Sequence, residues 1–251
     1  MNLTYVRIEL FRQCRDVGNL MFTIVMPAVM YLLFGNMFGG GGESAGNGNV
    51  KFYIMASMAA YGAAVATTAI AGSAATESIL GWGRQIALTP MKPSGFIGAK
   101  VCVALIVGAV SAAAVFTMGA ATGAVADSWR IWLGSYLIAV FGAAIFALYG
   151  MGVGMSFKSE SALGVASGGM VFFAFFGNVF LPLSGTMLDI ARFTPMYGYT
   201  GLVRWPLLEG QGAASGGPVD SIWLLVANLV IWALLFATLA LWALRRSRAR
   251  R

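Results

Sequence analysis

The sequence predicts an all-α integral membrane protein with six transmembrane helices. An N-terminal amphipathic interface helix precedes them, and short re-entrant helices lie between spans five and six. Three observations carry this. Of 251 residues, 59% are hydrophobic and only 10% charged, against about 25% charged in a soluble domain, so lipid is the solvent for most of the chain. Six apolar runs are long enough to cross a hydrocarbon core of roughly 30 Å. Lysine and arginine gather between alternate runs, as the positive-inside rule requires.

Residues 1–17 hold the interface helix. Leu3, Val6, Leu10, Phe11, Cys14 and Val17 fall on one helical face, and Glu9, Arg12, Gln13 and Asp16 on the other. Arg7 intrudes on the apolar face, where its long stem lets the charge snorkel. A helix lying in the interface fits this pattern; a plain basic topology anchor is the alternative.

Span one covers Gly18–Phe38. It is longer than the apolar region of a signal peptide and is read as retained. The following GGGGESAGNG (39–48) predicts a flexible polar loop. It lacks the Lys-Ser/Thr ending of a phosphate loop.

Span two, Phe52–Thr76, contains MAAYGAAVATTAIAGSAAT. Side chains this small let helix backbones approach closely in lipid. The stretch packs within one subunit, or lines a subunit interface or a translocation route. Gly150, Gly152 and Gly154 near the end of span four carry the same two readings.

Residues 77–100, ESILGWGRQIALTPMKPSGFIGAK, are short, basic and broken between two apolar runs. Ile79, Leu80, Trp82, Ile86 and Leu88 support a short helix, which Pro90 stops near Thr89. The product is a compact knob with an apolar face and the exposed cations Arg84 and Lys92. A plain turn between helices takes about two to eight residues. The extra length points to a docking surface, with an ordinary positive-inside loop as the alternative.

Spans three and four follow at Val101–Ala126 and Trp132–Phe157, and span five at Ala162–Leu183. Phe172, Phe173, Phe175 and Phe176 in span five stand beside a transport pathway, or face lipid and neighbouring helices. The stretch 180–210, of which 184–210 is the expected re-entrant segment, is apolar, but Pro182, Pro195 and Pro206 leave no piece long enough to span. Two half-helices that dip into or lie on the outer leaflet are expected, with Tyr197, Tyr199 and Trp205 at headgroup level. Span six is Ser221–Leu244, followed by the basic tail RRSRARR (245–251).

Twelve cations fall on one side of this topology: Arg7, Arg12, Arg15, Arg84, Lys92, Lys100, Lys158 and the five arginines of the tail. Only Lys51, Arg130, Arg192 and Arg204 fall on the other. Both termini are therefore expected in the cytoplasm of a multi-pass protein of the cell's inner (plasma) membrane. Topology accounts for the net charge of +7, so lipid rather than nucleic acid is the expected partner.

Enzyme chemistry finds little support. Histidine is absent, which removes the commonest general base and metal ligand. Serine and HExxH intramembrane proteases are excluded with it. Asp127, Asp189 and Asp220 all fall outside the spans, against an aspartyl type. Cys14 and Cys102 are far apart on the cytoplasmic side. No catalytic residue and no metal site are expected.

The order of parts resembles the ABC-2 type permease family, the membrane subunits of bacterial ABC exporters. In that family the loop between spans two and three begins with an acidic residue, passes through an apolar stretch to a Thr/Ser-Pro pair, and ends at Gly-x-Lys. Here these are Glu77, GWGRQIALTP and Gly98-Ala99-Lys100. The N-terminal helix is similar to the family's interface helix. The stretch with Pro182, Gly185 and Pro195 is similar to its extracellular re-entrant helices. The resemblance covers nearly the whole chain, as one transmembrane domain over 1–251.

The resemblance implies that Glu77, Trp82, Arg84, Pro90 and Lys92 couple the permease to an ATPase subunit. The chain has no GxxxxGK[ST] motif, so ATP and Mg belong to that separate partner, present in two copies, and this chain carries no cofactor. It also implies a second permease chain, identical or paralogous. The expected function is efflux of a hydrophobic or amphipathic substrate such as a drug, an antibiotic or a lipid, which links it to antibiotic resistance. The alternatives are an ion-coupled secondary transporter and a non-transporting membrane scaffold or immunity protein.

Overall fold

The structure, a computed structural model, describes residues 3–40, 42–77, 93–157, 161–180, 183–210 and 220–248. These form α1 (Leu3–Arg15), α2 (Val17–Gly39, with a π turn at Met21–Val25), α3 (Val50–Glu77), α4 (Pro93–Thr122), α5 (Trp129–Gly142), α6 (Ala144–Ser156), α7 (Ser161–Phe176), α8 (Thr186–Ala191), α9 (Pro195–Leu208) and α10 (Ile222–Arg248). Side-chain caps start several of them. Asp16 Oδ1 accepts from Asn19 N, Asn49 Oδ1 from Phe52 N, and Ser128 Oγ from Arg130 N.

Among the described residues, five segments are long and apolar enough to cross a membrane: Val17–Gly39, Val50–Ser73, Gly95–Thr122, Trp129–Ser156 and Ile222–Arg246. The chain is a multi-pass membrane protein. The fifth expected span is shorter than predicted. Its helix, α7, has 16 residues, about 24 Å at roughly 1.5 Å per residue. It stops because α9 crosses its end. A Cβ on Gly177 would lie 2.5 Å from Met196 Cβ, and Asn178 turns left-handed at φ 58°.

α3 is the central helix. Ala56, Ala59, Ala60, Ala63, Ala64 and Ala66 lose all exposure, while α2 and α10 leave most of their surface outward. The small residues of span two therefore pack within this one chain. Gly150 of α6 meets α3 so closely that a Cβ would lie 2.3 Å from Thr68 O. Thr67 Oγ1 donates to Ala143 O at 3.0 Å and Thr68 Oγ1 to Phe146 O at 3.3 Å. These threonines stay helical while serving carbonyls of the neighbouring helix.

The fourth span is broken at Ala143, between α5 and α6. The break has identifiable causes. Thr67 takes the Ala143 carbonyl, the hydroxyl of Tyr199 donates to Ala139 O, and the Tyr199 ring lies where a Cβ on Gly142 would sit. Tyr199 was expected at headgroup level. It is instead fully buried, because α9 packs its ring between α3 and the broken span. Pro206 also departs from expectation: α9 runs through it to Leu208, and Glu209 ends the helix at φ 43°.

The glycine-rich loop is a tied cap rather than a free loop. Asn47 N donates to Leu207 O at 2.8 Å, Asp127 N to Asn47 O at 2.9 Å, and Asn49 Nδ2 to Gly123 O at 2.8 Å. Gly46 has φ +55°, and a Cβ there would come within 2.4 Å of Leu207 O. Glycine is required by conformation and by space. At the opposite end of the bundle Ala71, Ile97, Met151 and Met155 meet. There Gly152 packs on Leu239 and Ala240, so α1 and the end of α10 share that end.

Candidate functional site

The site lies where α1 meets α3 and α4. The amphipathic pattern of α1 is present, but its polar stripe faces inward. Glu9 and Gln13 are buried, whereas Leu3, Ile8 and Phe11 are exposed. Val6 and Leu10 also turn inward, against Ala99 and Val103, so α1 binds the bundle through both polar and apolar residues and leaves Leu3 and Phe11 outward. Arg7 stays exposed over the ring of Phe11, 5.7 Å from its centroid.

The reason for the inward stripe is Lys100. It sits two turns into an otherwise apolar helix and has no exposed surface. A lone buried ammonium costs several kcal/mol. Lys100 Nζ lies 2.7 Å from Glu9 Oε1 and 2.8 Å from Glu77 Oε2. The Arg12 guanidinium pairs with the other Glu77 oxygen and stands 3.7 Å from Glu9 Oε2. Two carboxylates and two cations close a neutral cluster. Gln13 Nε2 donates to Glu9 Oε1 at 3.2 Å and Asn19 Nδ2 to Gln13 Oε1 at 3.1 Å, extending the network to the start of α2. Phe96 covers it, 5.8 Å from both Lys100 Nζ and the Tyr5 ring.

The electrostatics follow from this packing. Burial, then the negative charges of Glu9 and Glu77, push the Tyr5 hydroxyl well above the usual tyrosine range. Burial acts to lower the Arg12 guanidinium, but the hydrogen bond and charge of Glu77 outweigh it and the net shift is upward.

Glu77 is the last residue of α3, and Lys100 lies just inside α4. The pair therefore closes the chain on both sides of the predicted knob and fastens it to α1. Of the predicted coupling residues, Glu77 is placed here, buried and ion-paired. Trp82, Arg84, Pro90 and Lys92 lie outside the described residues.

The other predicted residues separate. Gly185 precedes α8 with φ +57°, a region that favours glycine. Pro195 opens α9, where its missing N–H costs nothing. Pro182 lies outside the described residues. Phe172 and Phe175 are exposed. Phe173 packs inward, 5.4 Å from the Tyr149 ring, and Phe176 stacks on Phe172 at 4.5 Å. The four phenylalanines do not form one surface.

Sequence reasoning treated Glu9 and Arg12 as a solvated stripe and Lys100 as a topology marker and loop end. The available signal was Lys100 itself, a charge inside the run GFIGAKVCVALIVG. Such a charge needs a partner, and the nearest acid in sequence is Glu77.

No family model matches the chain. Among curated proteins it is similar to the "Putative transport permease YvfS" of Bacillus subtilis (strain 168), 25% identical over 253 residues, covering 96% of each chain. This likeness supports a transport permease family and is consistent with the ABC-2 type that the sequence resembles. The chain is thus a helical membrane protein similar to a transport permease.

Proposed function

We propose that this chain is the permease subunit of an ATP-driven ABC-2 type exporter, powered by a separate ATPase subunit. It moves a hydrophobic or amphipathic substrate such as a drug, an antibiotic or a lipid out of the cell. The observation that carries this reading is the Glu9–Lys100–Glu77 clamp. It binds both flanks of the 78–92 segment to the interface helix, as a segment pushed by a partner would require. ATP closure of two ATPase copies moves the segment, and the clamp passes that motion to α1, α3 and α4, switching the packing of the bundle. A second permease chain, identical or paralogous, completes the unit.

In this reading the clamp end is cytoplasmic and α7 is the fifth of six crossings. The shared end of α1 and α10 supports an even number. α8 and α9 are re-entrant from the outside. Tyr199 reaches Ala60 O deep in the bundle, whereas Leu207 reaches Asn47 at its edge.

The test is purification of the tagged chain in mild detergent from its host, with co-purifying subunits identified by mass spectrometry. A stoichiometric soluble subunit with a phosphate-loop motif is the expected result. A reproducible complex without one overturns the reading in favour of an ion-coupled transporter or a scaffold.

A further inference from the structure

Arg204 of α9 is 4% exposed, and among the described residues no carboxylate pairs with it. Among the described residues, the partners it has are neutral. Nε donates to Ser57 Oγ at 2.8 Å, and Nη2 donates to Asn178 O at 2.7 Å. The guanidinium also lies over the Tyr53 ring, 4.1 Å from its centroid. Ser57 is held in turn, donating to Tyr53 O at 2.6 Å. Three elements, α3, the end of α7 and α9, thus fix one guanidinium. This is unlike the Lys100 cluster, where each buried cation meets a carboxylate.

Two consequences follow. A buried cation without a counter-charge is costly, and an anion beside it offsets that cost. The terminal nitrogens also keep N–H donors without a protein acceptor among the described residues. Such a fork matches the paired oxygens of a phosphate or carboxylate. Tyr53 and Ser57 lie in the first turns of α3, close to the end that carries the tied cap, so the fork sits at a depth that lipid headgroups can approach.

We propose that Arg204, positioned by Tyr53, Ser57 and Asn178, is a binding site for a phosphate oxyanion, supplied by the headgroup of an acidic phospholipid. The site is independent of the transport reading, since it requires only that the chain lies in a bilayer.

The test uses the full chain in phosphatidylcholine nanodiscs, with Tm read from tryptophan fluorescence. Replacing part of the lipid with phosphatidylglycerol raises Tm by a few degrees in the wild type. The shift is lost in Arg204→Gln and reduced in Arg204→Lys, which keeps the charge without the fork. Inorganic phosphate added to neutral nanodiscs distinguishes the source. No rise assigns the site to lipid, and a rise that Arg204→Gln abolishes assigns the same chemistry to free phosphate. An equal phosphatidylglycerol shift in Arg204→Gln, or no shift in the wild type with either probe, overturns the proposal. If Arg204→Gln fails to accumulate, Arg204→Lys decides, and a shift as large as the wild type's overturns the forked site. The nanodisc assay contains no ATPase, so its failure is distinct from failure of the exporter reading.

Discussion

Lys100 Nζ, two turns into α4, and Glu77 Oε2, at the end of α3, stand 2.8 Å apart. Removing the shared cation leaves Glu9 and Glu77 facing each other. Lys100→Met is expected to destabilise the protein by about 3–5 kcal/mol, read as a lower Tm in detergent. Adding Glu9→Gln alone recovers much of the loss, since Arg12 and Glu77 then balance each other and the cluster carries no net charge. A Lys100→Met protein as stable as the wild type would show that the clamp does not hold the fold.

Glu77→Ala differs, because Lys100 keeps Glu9. On the exporter reading, this variant is expected to insert normally but to transport severalfold less and to stimulate the proposed ATPase partner less. Arg84→Glu on the adjoining segment behaves alike. Unchanged transport and ATPase stimulation in both variants sinks the coupling assignment.

Tyr5 makes the clamp sensitive to alkali. Its folded-state pKa is raised above the ordinary value of 10.0. The folded form holds the proton that the unfolded form releases. The resulting stability is complete below about pH 10 and declines as pH rises from there toward the folded value. Tm therefore falls more steeply between about pH 9 and 11 in the wild type than in Tyr5→Phe. Parallel curves would remove Tyr5 from the linkage.

Two glycines give a packing test with an internal control. Gly150→Ala forces a Cβ against Thr68 O and is expected to cost about 1–3 kcal/mol. Gly164→Ala meets nothing within 4 Å and leaves Tm unchanged or slightly raised. Equal effects at the two positions would contradict the close crossing of α3 and α6.

Much of the fold was legible because lipid imposes itself on composition. Five spans lie within a few residues of the runs read from the sequence, since length and apolarity determine them. What was hidden depended on distant partners. The polar stripe of α1 reads the same whether water or Lys100 lies opposite, and Lys100 is far away in the chain. The tied cap at 42–49 is held mainly by backbone groups and asparagines, which every glycine-rich loop also offers. Tyr199 looked interfacial because tyrosine commonly is, yet its hydroxyl finds the carbonyl of Ala139, beside the break at Ala143, and that of Ala60 in α3. α7 was drawn too long because Gly177 and Asn178 interrupt an apolar run that continues beyond them.

That break makes the fourth span two rods with different owners. One rod, α5, packs on α9, to which it is joined through Tyr199 and through Pro206 against Gly134. The other rod, α6, packs on α3 and α10 through Gly150 and Gly152. Tilt imposed on one half of the membrane is thereby absorbed at a joint instead of being carried along a stiff helix. On the exporter reading, a passage could then close at one mouth before it opens at the other.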